Sequence, residues 1–290
     1  MTKLSIKIKT KFLIFTSISM IILNSCTSGP TTKSSPFTIK DSYFENMDAC
    51  FLVLDLNEGD ISTSYGEVNC KRRLTPCSSF KVPLSIMALD AKIITDEDAK
   101  FEWDGVHRSI ESWNSHQTAM SWMKNSTVWV SQQITPQLGK EKIAQYLQDF
   151  GYGNQDISAD ISAFWLPLSK SDSSIIGGSL KISAIEQIEF MRRFWSNRLH
   201  VNKEATERTK KMMFLEKSPS GFDFQGKTGS GNLHDSGQDF GWFVGHIQCN
   251  SKDLLFVTTI IRSEKSIDKR YPGPLAKEIT KKILNDNHCW

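Results

Sequence analysis

Two textures divide this 290-residue sequence, and their placement leaves few folds open. β-prone runs lie at both ends. Near the N-terminus "ACFLVLDL" (49–56), a turn at Asn57, Glu58 and Gly59, and a second run from Ile61 to Tyr65 predict a hairpin. Near the C-terminus "GFDFQGKTG", "DFGWFVGHIQC" and "DLLFVTTIIR" predict strands, and "GPLAKEITKKIL", opened by Pro274, predicts an amphipathic closing helix. Between them, from about residue 80 to 215, "SIMALDAKI", "KIAQYLQDF" and "ISAIEQIEFMRRFW" carry helical periods. The fold class that accommodates both is α/β of the α+β kind. One antiparallel sheet is built from the two chain ends, terminal helices flank it, and an all-α region is inserted beside it.

The first residues have another character. Lys3, Lys7, Lys9 and Lys11 precede "FLIFTSISMIIL", an apolar run of export-signal length and too short to span a bilayer, so residues 1–25 are expected to be a signal peptide. "LNSC" then places Cys26 where a bacterial lipoprotein signal is cut, and both lipidation of Cys26 and plain cleavage nearby fit it. Residues 27–36, "TSGPTTKSSP", read as a linker. A single domain is expected over 37–290, and 39% hydrophobic residues supply its core. The expected location is the periplasm, free or anchored.

The formal net charge of +3 contains the four leader lysines, which leaves about −1 on the mature chain and points to no nucleic-acid partner. Beyond Cys26 there are five cysteines, so one is free or bonded to another chain; Cys50 with Cys70 and Cys70 with Cys77 are the local pairings open to them. The six histidines show no ligand spacing, and no metal is expected.

"TPCSSFK" (75–81) puts Ser78 and Lys81 one helical turn apart on one face, and Pro83 requires the helix to start close to Ser78, where free backbone N–H groups can bind an oxyanion. Alone, a serine and a lysine at this spacing read as a helix cap and a surface charge, because a lysine of ordinary pKa is no base at neutral pH. The downstream motifs alter that. Ser126-Thr127-Val128 follows Ser78 by 48 residues, and Lys227-Thr228-Gly229 stands in a strand ahead of Ser230 and Gly231. Together they are the three ordered elements of penicillin-recognising serine enzymes.

With "FEWDG", "YLQDFGYGNQDIS", "AFWLPLS", "GKTGSG" and "GWFVGHI" added, the chain from about Phe44 to Leu284 resembles the class D β-lactamases, the oxacillinases. That resemblance implies hydrolysis of penicillin-type β-lactams, and so antibiotic resistance. Ser78 would be the acylated nucleophile and Lys81 an N6-carboxylysine, carbamylated by carbon dioxide or bicarbonate, acting as general base. Phe80, Val128 and Leu166 would line the carbamate pocket, and the Trp165 indole N–H would hold the carbamate. Ser126 would pass the proton to the leaving nitrogen. Lys227, Thr228 and Ser230 would bind the substrate carboxylate and shape the oxyanion hole. Monomer and homodimer are both compatible.

Three departures stand out. Ala276 occupies the place of an arginine that grips the substrate carboxylate in many class D enzymes, and Arg262 and Arg270 read as salt-bridged surface residues rather than replacements. The loop "LPLSKSDSSIIGG" after Trp165 is long, and Thr127 fills a variable position. Tyr152-Gly153-Asn154 is expected to order a turn beside the site. Two other functions share the motifs, a β-lactam sensor and a D-Ala-D-Ala peptidase; Val128, where the peptidases usually carry asparagine, argues for class D.

Overall fold

In a computed structural model, Thr2 and residues 37–167, 178–264, 266 and 268–290 are described. The expected signal peptide (except Thr2), Cys26, the linker and most of the long loop after Trp165 lie outside these residues. The chain runs β1 (Met47–Asp55), β2 (Ile61–Tyr65), α1 (Glu67–Lys71), a 3₁₀ turn (Cys77–Phe80), α2 (Lys81–Asp90), β3 (Lys100–Phe101), β4 (Gln117–Thr118), α3 (Ala119–Asn125), α4 (Val128–Leu138), α5 (Lys140–Phe150), α6 (Ala184–Trp195), α7 (Lys203–Met212), β5 (Phe214–Lys217), β6 (Asp223–Asn232), β7 (Asp239–Cys249), β8 (Lys252–Arg262) and α8 (Pro272–Asp286).

Six strands form one antiparallel sheet in the order β2-β1-β8-β7-β6-β5, so the N-terminal hairpin is zipped onto the C-terminal strand β8. Both faces of this sheet are covered, which explains why β1, β7 and β8 read as nearly continuous apolar runs rather than as alternations. Cys50, Leu52 and Leu54 of β1 join Trp242, Val244, Leu255 and Val257 in a core shared with α2, α4, α5 and α6. Their neighbours Ala49, Phe51 and Val53 join Phe243, Phe256 and Ile260 in a second core closed by Leu275, Ile279 and Ile283 of α8.

The sequence-based outline differs from the structure at three places. α8 begins at Pro272 rather than Pro274, because a proline is tolerated throughout a first turn whose N–H groups have no intrahelical acceptor. β5 is short and mostly half-exposed, with no pattern to announce it. The helical middle is interrupted between α2 and α3, where turns around Glu102 to Ser115 replace helix. Elsewhere local signals agree: Thr118 with Ser121 and Ser183 with Glu186 form reciprocal caps at the starts of α3 and α6. Among the described residues two disulfides are present, Cys50–Cys70 and Cys249–Cys289, and Cys77 is a buried free thiol.

Candidate active site

From Leu74 to Leu89 every residue is buried except Ser78, which is half-exposed at the turn into α2. Its backbone is held from three sides. The Cys77 N–H donates to the carbonyl of Trp165 (3.0 Å), the Trp242 indole N–H donates to the carbonyl of Thr75 (3.0 Å), and Gln187 donates to Ser79 Oγ (2.9 Å). Cys77 itself adopts a left-handed φ of 51°, a conformation that costs about 1–2 kcal/mol for a residue with a side chain. The packed neighbours hold that strain at the residue preceding Ser78.

Lys81 lies one turn further on, 1% exposed, with Nζ 3.3 Å from Ser78 Oγ. Burial lowers its pKa well below the ordinary lysine value; the charge of Lys227 lowers it further, and Cys77 weakly opposes both. The surroundings thus favour the neutral amine over the ammonium, which is the direction a lysine base requires. Trp165 is fully buried, stacked on Phe80 at 5.7 Å and edge-on to Phe164 at 5.1 Å. Its indole N–H has no hydrogen-bond partner among the described residues, an omission that costs about 1–3 kcal/mol unless something fills it. Val128, the first residue of α4, and Leu166, next to Trp165, are half-buried.

Ser126 sits at the corner between α3 and α4 with a left-handed φ of 61°. Lys227 Nζ donates to Ser126 Oγ (3.0 Å) and to the Thr228 carbonyl (3.0 Å), and lies 3.5 Å from Thr228 Oγ1. Burial pushes the Lys227 pKa down to about 7, with a further lowering from Lys277. The Ser126 corner is braced by Gln117, whose side-chain oxygen accepts from Ser121, Asn125 and the buried Thr127 hydroxyl. Nothing in the sequence pattern singled out Gln117.

β5 pairs β6 only from Asp223 to Gln225, so beyond this the outer edge of β6 is unpaired among the described residues. The Gly226 N–H points outward to the Met213 carbonyl, and the two-residue period of a strand then directs the N–H groups of Thr228 and Ser230 to that edge. This edge abuts the Ser78 turn: a methyl group on Gly229 would stand 2.8 Å from the Pro76 carbonyl oxygen and 3.4 Å from the Ser78 nitrogen. Glycine is what permits the approach. Ser230 Oγ accepts from the Gly273 N–H (2.9 Å), which ties the start of α8 to the same strand.

Ser78, Lys81, Ser126, Trp165, Lys227, Thr228 and Ser230 are therefore gathered where the helical part meets the sheet. Tyr152 packs behind them, edge-on to Phe80 at 5.9 Å. Gly153 has φ 58°, and the Asn154 side chain bonds the Ser179 carbonyl and the Lys181 N–H, so this tripeptide shapes the turn behind the site. Ala276 faces the second core. Arg270 is ion-paired with Asp268 and Glu278, and Arg262 with Asp239 (3.7 Å), as expected of both, but Arg262 is not at the surface. It is 8% exposed and donates to the Asp268 and Arg270 carbonyls, because β8 ends beneath the loop that it pins. Among the described residues no cluster of His, Cys, Asp or Glu could hold a metal.

Residues 49–285 match the family model described as penicillin binding protein transpeptidase domain. The chain is 37% identical to β-lactamase OXA-1 of Escherichia coli over 236 residues, 79% of this chain and 82% of that protein. It is 34% identical to the probable β-lactamase YbxI of Bacillus subtilis (strain 168) over 84% of this chain and 82% of the relative. Among solved structures, the class D β-lactamase BAT-2 superposes with a TM-score of 0.74 at 34% identity, covering 86% of this chain and 95% of that one.

Proposed function

The chain belongs to the class D β-lactamases, enzymes that hydrolyse β-lactams, and we propose that it does so through an acyl-enzyme on Ser78 with Lys81 carbamylated as general base. The observation that carries this reading is a buried amine, its pKa lowered by burial, 3.3 Å from the hydroxyl of Ser78, the only accessible residue of its segment; beside it, Trp165 stacks on Phe80 and its buried indole N–H has no partner among the described residues. Carbon dioxide reacts with a neutral amine, releasing a proton and leaving an anionic carbamate that can accept one from Ser78. The donor such an anion needs is Trp165 Nε1, and Phe80 supplies an apolar wall.

The steps follow from the positions of the groups. As the Ser78 proton leaves, Oγ bonds to the lactam carbonyl carbon, and the N–H groups of Ser78 and Ser230 receive the oxyanion. The C–N bond then breaks, with Ser126 Oγ passing a proton to the departing nitrogen while the Lys227 ammonium behind it favours the transfer. Water attacks the ester, loses its proton to the base at position 81, and Ser78 recovers a proton as the C–O bond breaks. The net reaction adds one water across the amide. Export to the periplasm directed by residues 1–25, with or without a lipid on Cys26, would place this activity where β-lactams meet cell-wall synthesis and so give resistance.

Purified protein should open benzylpenicillin with multiple turnovers, faster with added bicarbonate. A stable acyl adduct without turnover would instead assign a sensor role, and absence of any acylation would reject the reading.

A further inference from the structure

Behind Lys227 and Thr228 lies a cavity of about 130 Å³ whose lining includes Lys124, Met212, Pro274 and Lys277. Among the described residues three lysines and no acid border it. Two of its walls, Lys227 and Thr228, already belong to the site, and Lys227 Nζ is 3.0 Å from the Ser126 hydroxyl that faces the leaving nitrogen. In penicillins and cephalosporins the carboxylate is borne on the atom next to that nitrogen, so it lies close to Ser126 and to the Lys227 and Thr228 walls of this cavity.

Three other cations of the neighbourhood are engaged, while Lys269, beside Ser230 on another side of the site, is exposed and unpaired among the described residues. Lys281, one turn beyond Lys277, pairs with Glu216; Arg270 pairs with Asp268 and Glu278; Arg262 is spent on backbone carbonyls. Lys277 is half-buried and has no ion-pair partner among the described residues. Lys124 is also unpaired but exposed at the end of α3. We propose that Lys277, projecting from α8 into this cavity, binds the substrate carboxylate together with Thr228 and makes the enzyme selective for anionic β-lactams. The inference rests on the β-lactamase reading. It accounts for an otherwise unfavourable arrangement, because the Lys277 charge already bears on buried Lys227 and an anion between them relieves that repulsion.

The test compares benzylpenicillin with its methyl ester in the wild type, Lys277→Gln and Lys277→Arg. Losing one charge-assisted hydrogen bond should raise KM for the acid about tenfold in Lys277→Gln with kcat little changed, leave the ester unaffected, and be largely rescued in Lys277→Arg. An unchanged preference for acid over ester in Lys277→Gln, or an equal loss on both substrates, overturns the proposal while leaving the β-lactamase reading intact. A wild type that opens neither substrate overturns both.

Discussion

Replacing Trp165 by phenylalanine isolates the role of one N–H. Phenylalanine preserves an aromatic ring against Phe80 and Phe164, and the main-chain bond from Cys77 to the Trp165 carbonyl does not depend on the side chain. What is lost is the indole donor and the volume of the second ring. In carbon-dioxide-free buffer two effects oppose each other. The cavity left by the smaller ring costs about 2 kcal/mol, whereas removal of a buried donor without a partner returns about 1–3 kcal/mol. Net stability should therefore change by no more than about 1 kcal/mol, unusually little for a tryptophan that is fully buried.

With bicarbonate the balance changes. A hydrogen bond from a neutral donor to an anion contributes about 1.5–3 kcal/mol, so Trp165→Phe should weaken carbamylation about 10- to 150-fold. The assay is the bicarbonate concentration that half-restores kcat, alongside the carbamate carbon signal in ¹³C NMR with labelled bicarbonate. Deacylation should slow more than acylation. An identical half-restoring concentration in the two proteins would refute the role given to the indole. A stability loss of about 3 kcal/mol or more without carbon dioxide would show instead that the N–H is satisfied in the free enzyme.

Because burial and Lys227 lower the Lys81 pKa, the amine is free above that lowered value and protonated below it; activity should fall on the acid side and recover there with bicarbonate, which a pH–rate series with and without bicarbonate would check. Gly229→Ala sets a methyl group 2.8 Å from the Pro76 carbonyl, so overpacking of about 1–3 kcal/mol should appear chiefly as lost kcat, and unaltered turnover would contradict the close approach of β6 to the Ser78 turn. Cys249→Ser opens a link across 40 residues and should cost about 4 kcal/mol in denaturant unfolding, with turnover per folded molecule retained because both sulfurs lie in the core beneath α8.

What was legible in the sequence was whatever depends on local pattern. The apolar runs of β1, β7 and β8 and the motifs around Ser78, Ser126 and Lys227 are all local. Residues whose role arises from distant neighbours were not legible. Gln117 braces Ser126 only because the chain doubles back through β3 and β4, and Arg262 is buried only because a loop closes over the end of β8. Lys277 follows Ala276 directly, yet only the meeting of α8 with β6 separates an alanine facing the core from a lysine facing the site. The disulfides were open for the same reason: Cys249 and Cys289 meet because α8 returns along the sheet.

The electrostatics of Lys81 explain why the site needs a specific donor as well as a cation. A positive Lys227 disfavours the Lys81 ammonium and, on the proposed assignment, favours the carbamate, so a single charge acts in the required direction before and after modification. Burial does not. It disfavours every charged form, and so lowers the amine pKa while also opposing the anion that replaces it. The pocket can release the amine by desolvation alone, but it can hold the carbamate only if some buried dipole is already aimed at it. Among the described residues Trp165 Nε1 and the Tyr152 hydroxyl are buried groups beside Phe80 with no partner, and on the proposed assignment the indole is the donor that the carbamate takes.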